Sequence, residues 1–114
     1  MAYHRLMTAA DGPREALAHR IRAILNSQQD VREIRMFGGV CFMVDGRMAV
    51  AAGRDGGLLV RTDPSRYDDL LTRGAEPATM SRTRPMGRGW ITVPGPRLEG
   101  EEELAWWVSL GVGT

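Results

Sequence analysis

The segment from Met36 to Arg61 constrains this chain most. Short apolar runs, Val40 to Val44, Met48 to Ala52 and Leu58 to Arg61, alternate there with Gly38-Gly39, Asp45-Gly46 and Asp55-Gly56-Gly57. Short apolar runs bounded by turn residues read as strands, and Asp-Gly between two of them is a strong hairpin signal because the tight turn needs positive φ. With Val31 to Met36 as a first strand, the segment predicts a four-stranded antiparallel meander.

Successive strand residues point to opposite faces. Val40, Phe42 and Val44 therefore share one face of the second strand, with Cys41 and Met43 on the other. In the third strand Met48, Val50 and Ala52 are set against Ala49 and Ala51. Both faces are apolar, whereas a sheet with one face in water alternates apolar with polar. A second layer is expected over the far face, either a helix of the same chain or a second subunit. Cys41, Met43, Ala49 and Ala51 are thus candidate interface residues.

Helical periodicity flanks the meander. Leu17, Ile21, Ile24 and Leu25 fall on one face of a helix from about residue 13 to 27, with Asp11 or Gly12 as N-cap and Pro13 in the first turn. Asp63 caps a second helix carried by Tyr67, Leu70 and Leu71 and stopped by Gly74, with Pro64 at its first position. Two strands follow, near Ala78 to Ser81 and from Trp90 to Val93. A last helix opens near Glu99 or Gly100, its dipole matched by Glu101, Glu102 and Glu103, and Gly111 is read as its stop. The order α-β4-α-β2-α predicts an α+β fold, an antiparallel sheet packed with three helices. At 114 residues the chain fits one domain, residues 1–114. Trp106 and Trp107 cannot both face the same core from one helix. One packs inward; the other, taken as Trp106, is a candidate anchor for a partner or a cover for the second face.

Composition narrows the function classes. No apolar run approaches the length of a membrane span, and no apolar stretch of signal-peptide type follows the N-terminus. A single cysteine forms no internal disulfide, so a cytoplasmic protein is expected. Formal net charge is +1, too small a field to argue for nucleic acid. Every basic residue is arginine, which suits bidentate phosphate or carboxylate recognition but equally reflects compositional bias.

Each candidate for chemistry has a plainer counterpart. Cys41 would need His4 or His19 to activate it, yet it sits in an apolar strand where cysteine behaves as a small inert hydrophobe. Metal-ligand spacings are missing, Asp68 and Asp69 point apart on a helix, and no cofactor is expected. Gly38-Gly39 would serve either as an anion-binding nest or as a turn or close backbone approach. Arg82, Arg84 and Arg88, followed by Trp90, form the most basic patch. They are candidate anion or nucleic-acid contacts, set against a solvated hairpin tip.

The string Arg35-Met36-Phe37-Gly38-Gly39-Val40, continued by Asp45-Gly46, resembles the signature of the TfoX (Sxy) N-terminal domain family. Leu59 to Asp63, Arg84-Pro85-Met86, Gly89 to Val93 and Glu103 to Val108 are similar to its later segments, so the resemblance covers nearly all the chain. The family is named for a bacterial regulator of natural competence thought to act with a global transcription activator. The resemblance implies a non-enzymatic regulatory or protein-interaction domain with no catalytic residues to transfer. Met36, Phe37, Gly38, Gly39, Asp45 and Gly46 would then be structural signature positions. The full regulators carry a second, C-terminal domain, so a chain ending at Thr114 is expected to be a stand-alone member. A homodimer and a protein partner in transcription regulation are expected, with direct nucleic-acid binding disfavoured. A small-molecule module or small enzyme, using a concavity between sheet and helices, is the alternative.

Overall fold

The computed structural model describes residues 2–81 and 84–114, with side chains for 12–80 and 84–114. Its helices are α1 (Ala2–Ile24), α2 (Tyr67–Thr72) and α3 (Glu101–Gly113), with short 3-10 turns at Leu25–Ser27, Pro64–Arg66 and Gly95–Leu98. Its strands are β1 (Val31–Met36), β2 (Gly39–Val44), β3 (Arg47–Ala52), β4 (Leu58–Arg61), β5 (Glu76–Pro77), β6 (Thr79–Ser81), β7 (Arg84–Pro85) and β8 (Trp90–Val93). The main sheet runs β1-β2-β3-β4-β8-β5 with antiparallel neighbours, and β6 and β7 form a separate hairpin. The α+β architecture is the one the pattern predicts.

Local chemistry explains most of the elements. Gly12, at φ 65° and ψ −160°, interrupts α1, so the predicted helix begins at Pro13, and further helical backbone precedes it. Asp63 caps the second helical segment by accepting from the Ser65 N–H at 2.9 Å, with Pro64 beginning the turn. That hydrogen bond holds the Asp63 carboxyl below its ordinary range. Asp45 and Gly46, at φ 54° and 83°, form the expected tight turn between β2 and β3.

Four expectations are corrected. First, the β1–β2 turn is Phe37-Gly38, at φ 57° and 76°, and Gly39 belongs to β2 opposite Met36. A Cβ on Gly39 would lie 2.8 Å from the Ala52 carbonyl oxygen, so its role is close backbone approach. Second, two further strands exist, β5 and β7, each only two residues long. Pro77 is tolerated because β5 is the sheet edge.

Third, Gly111 lies inside α3 and does not stop it. Fourth, the alternation in β3 is broken. Phe42 pairs with Val50 but Met43 pairs with Met48, leaving Ala49 as the extra residue of a bulge. The bulge turns Ala49 into the core beside Val50, so Ala49 leaves the far-face set.

The core is one cluster on a single side of the sheet. Leu17, Ile21 and Leu25 of α1, Leu70 of α2 and Leu104, Trp107 and Val108 of α3 pack on Val40, Phe42, Val50, Leu58, Val60, Ile91 and Val93. Trp107 is the inward tryptophan, fully buried, and its Nε1–H donates to Glu103 Oε2 at 2.8 Å. No described helix is long and apolar enough to cross a membrane.

Candidate functional site

Among the described side chains, the helical residues of the core all pack on one side of the sheet, and none of them covers the other face. Strand register sets its composition. Ile34, Cys41, Ala51, Leu59 and Thr92 form a row across β1, β2, β3, β4 and β8. Cys41 and Ala51 are small, so the row dips in the middle. Met36 and Met48 stand on the same face, and the β6–β7 hairpin brings Met80 and the following Met86 over it. Ala78 is buried and its carbonyl accepts from the Met86 N–H at 2.9 Å, which closes the hairpin base. The result is a trough of about 340 Å³, lined by these four methionines with Phe37, Cys41 and Leu59 among others. The polar groups at its wall include Asp55, Thr79 and Thr92. The concavity thus lies away from the helices, and the one expected between sheet and helices is corrected to that extent.

The β1–β2 turn forms part of the rim. Arg14 Nη1 donates to the Gly38 carbonyl at 3.2 Å, and the Arg54 guanidinium lies over Gly38. Arg14 is itself held by Glu15, 3.0 Å away, and Glu15 accepts both guanidinium nitrogens of Arg35 at 2.6 and 2.9 Å. These arginines hold the Glu15 carboxyl down at about 2, well below its ordinary value. The turn is therefore fastened to α1, yet Phe37 at its tip is 91% exposed. Met80, Ile34 and Met36 are exposed on the same side.

The predicted interface residues separate. Cys41, Met43 and Ala51 lie on the open face, Ala49 is in the core, and Trp106 belongs to the helical layer, half-buried beneath the Arg73 guanidinium 3.7 Å from its ring centre. Cys41 is buried, and burial raises its thiol pKa, against a nucleophilic role. His19 is exposed, and the His4 side chain lies outside the described ones.

The two described arginines of the loop have different surroundings. Arg88 is drawn to α2 by Asp68 at 3.0 Å and lies over the Tyr67 ring, Arg84 is exposed on β7, and Arg82 is outside the described residues. Trp90 lies outside the core cluster and carries Arg61 over its ring, 4.8 Å from the centre. Among the described residues no three or more His, Cys, Asp or Glu converge as a metal site.

Sequence reasoning missed Phe37 and the methionine lining. A partial signal existed: Met43 alternates in phase with Cys41, whereas Met48 joins that face only through the Ala49 bulge. The family model of the TfoX N-terminal domain matches residues 23–114. No curated protein matches the chain.

Proposed function

The chain belongs to the TfoX N-terminal domain family, and from that premise we propose that it is a non-enzymatic regulatory domain that acts by docking a protein on its open sheet face. One observation carries the reading: an apolar trough walled by methionines on the sheet face opposite the core, with no helical residue among its described lining. Exposed apolar patches of this kind mark interaction sites. Methionine, flexible and polarizable, suits surfaces that must fit a partner. Among the described residues lining the trough the one nucleophile, Cys41, is buried in a thiol-favouring environment and no histidine stands beside it.

The test is complementation. Leu59→Glu places a charge on the trough floor, away from the helical core. The expected result is a folded variant, by circular dichroism, that leaves a deletion strain with the deletion's transcript profile. Full restoration of the wild-type profile by the folded variant would overturn the proposal. A second reading rests on the trough volume of about 340 Å³, which lies within the range of small-molecule sites. Native mass spectrometry of protein purified from its own host tests it by the presence or absence of a bound small molecule.

A further inference from the structure

We infer that the open face pairs with a second copy of this chain, the Phe37 ring of each copy seating in the methionine trough of the other. The inference rests on the docking reading above and names the partner.

Phe37 is anomalous on two independent counts. Its φ of 57° is a conformation that bulky side chains rarely adopt and that glycine or asparagine takes readily. Its ring, 91% exposed, contributes almost nothing to its own core. The turn would form more easily with a small residue, so the fold does not account for an aromatic there. Arg14, bonded to the Gly38 carbonyl, holds the tip in place. A rigid, exposed aromatic is the side chain that dominates interface energetics when it enters a pocket.

The pocket is on the same face. Phe37 is one of the residues lining the trough, with its ring still largely in solvent. A cavity of about 150 Å³ already accommodates benzene, so about 340 Å³ takes one phenyl ring with room for methionine side chains to close around it. Sulfur–aromatic contacts from Met48, Met80 and Met86 would add to the fit. A knob and a hole side by side on one chain are self-complementary. A two-fold axis between them satisfies both at once and closes the assembly at two copies.

Charge favours a second copy over a partner of one sign. Arg54 and Asp55, adjacent and exposed, stand near the trough, and a two-fold can set each against its opposite on the other copy. Net charge of +1 gives little repulsion between copies. Pairing through the β1 edge is disfavoured: Arg32, Glu33 and Arg35 line it, and charged edges discourage strand addition. The face, and not the edge, is the self-complementary surface.

The experiment uses the full chain with methionine methyls labelled by carbon-13, followed by NMR and sedimentation equilibrium from micromolar to millimolar concentration. Phe37→Asn and Phe37→Gly are compared with wild type, each fitting the left-handed turn, so at least one folded variant is available. The expected wild type is a dimer whose Met48, Met80 and Met86 methyl signals move with concentration. Either variant should weaken association at least tenfold, remove those shifts and keep or raise the monomer's melting temperature. A wild type that stays monomeric at millimolar concentration would overturn the inference. So would a dimer indifferent to both variants or one that leaves the trough methyls unmoved. The docking reading fails separately, by rescue with Leu59→Glu.

Discussion

Gly111→Ala tests the packing of α3 on β3, because two effects of opposite sign meet at one atom. Alanine is about 1 kcal/mol better than glycine in a helix interior, so helix propensity alone predicts stabilisation. The added Cβ, however, would lie 2.5 Å from the Ala49 carbonyl oxygen and 2.8 Å from Val50 Cγ1. Ala49 is the bulge residue, and its backbone is part of the sheet, so it cannot swing away as a flexible side chain would. Overpacking of this kind costs about 1–3 kcal/mol, and a contact this short on backbone belongs at the upper end. The expected net loss is about 1–2 kcal/mol. For a domain of this size that lowers the melting temperature by roughly 4–10 °C. Gly113→Ala is the control, since a Cβ there meets nothing within 4 Å. It should be neutral or stabilise by a few tenths of a kcal/mol. Thermal and urea unfolding of the two variants beside wild type decide the matter. If Gly111→Ala stabilises as much as Gly113→Ala does, the close approach of α3 to the bulge is wrong.

Two further outcomes follow from the ionisation and burial of named groups. The Glu15 carboxyl sits at about 2 when folded against an ordinary value of 4.5, so its contribution is full above about 4.5 and is lost as pH falls toward 2. Glu15→Gln should cost about 1 kcal/mol at pH 7, discounted because Arg35 is largely exposed, and only a small part of that by pH 2, where the folded-state carboxyl is half protonated; a gap that stays constant across that range in urea titrations would contradict it. Cys41, buried with a raised pKa, should react with iodoacetamide far more slowly in the folded protein than in urea. Comparable rates by mass spectrometry would count against an inert cysteine.

What could be read from the sequence was whatever depends on neighbours along the chain. β4 and β8 alternate in burial, β1 spans the residues expected of it, and Asp45-Gly46 and Asp63-Pro64 act as turn and cap, because period and turn chemistry are local. Glycine was ambiguous because it has two uses. Gly38 supplies positive φ, whereas Gly39 and Gly111 permit close approach to a backbone distant in sequence, and a run of letters does not separate these. The Ala49 bulge escaped for a related reason: one inserted residue inverts the faces of a strand without altering its composition. On the open face, Cys41, Met43 and Ala51 were legible from alternation. Phe37 was not, since an aromatic beside a strand reads as core until its turn is located. That the packed helices share one side depends on long-range packing that no local pattern records.

The signature positions divide by what they do for the fold. Gly38, Asp45 and Gly46 provide the positive φ of two tight turns, and Gly39 lets β2 approach β3; each has a steric reason independent of any partner. Met36 and Phe37 have no such reason. Met36 is about one-third open to solvent and Phe37 occupies, at conformational cost, a position where a smaller residue would do better. A residue that makes its own turn less favourable and adds nothing to its own core needs a use outside the monomer. The fold already supplies the complement, because the small residues Cys41 and Ala51, on a face that no described helical side chain fills, leave a trough beside the aromatic. The steric constraints on Gly38 and Gly39 therefore fix where Phe37 stands, and Phe37 in turn gives the open face its most prominent feature.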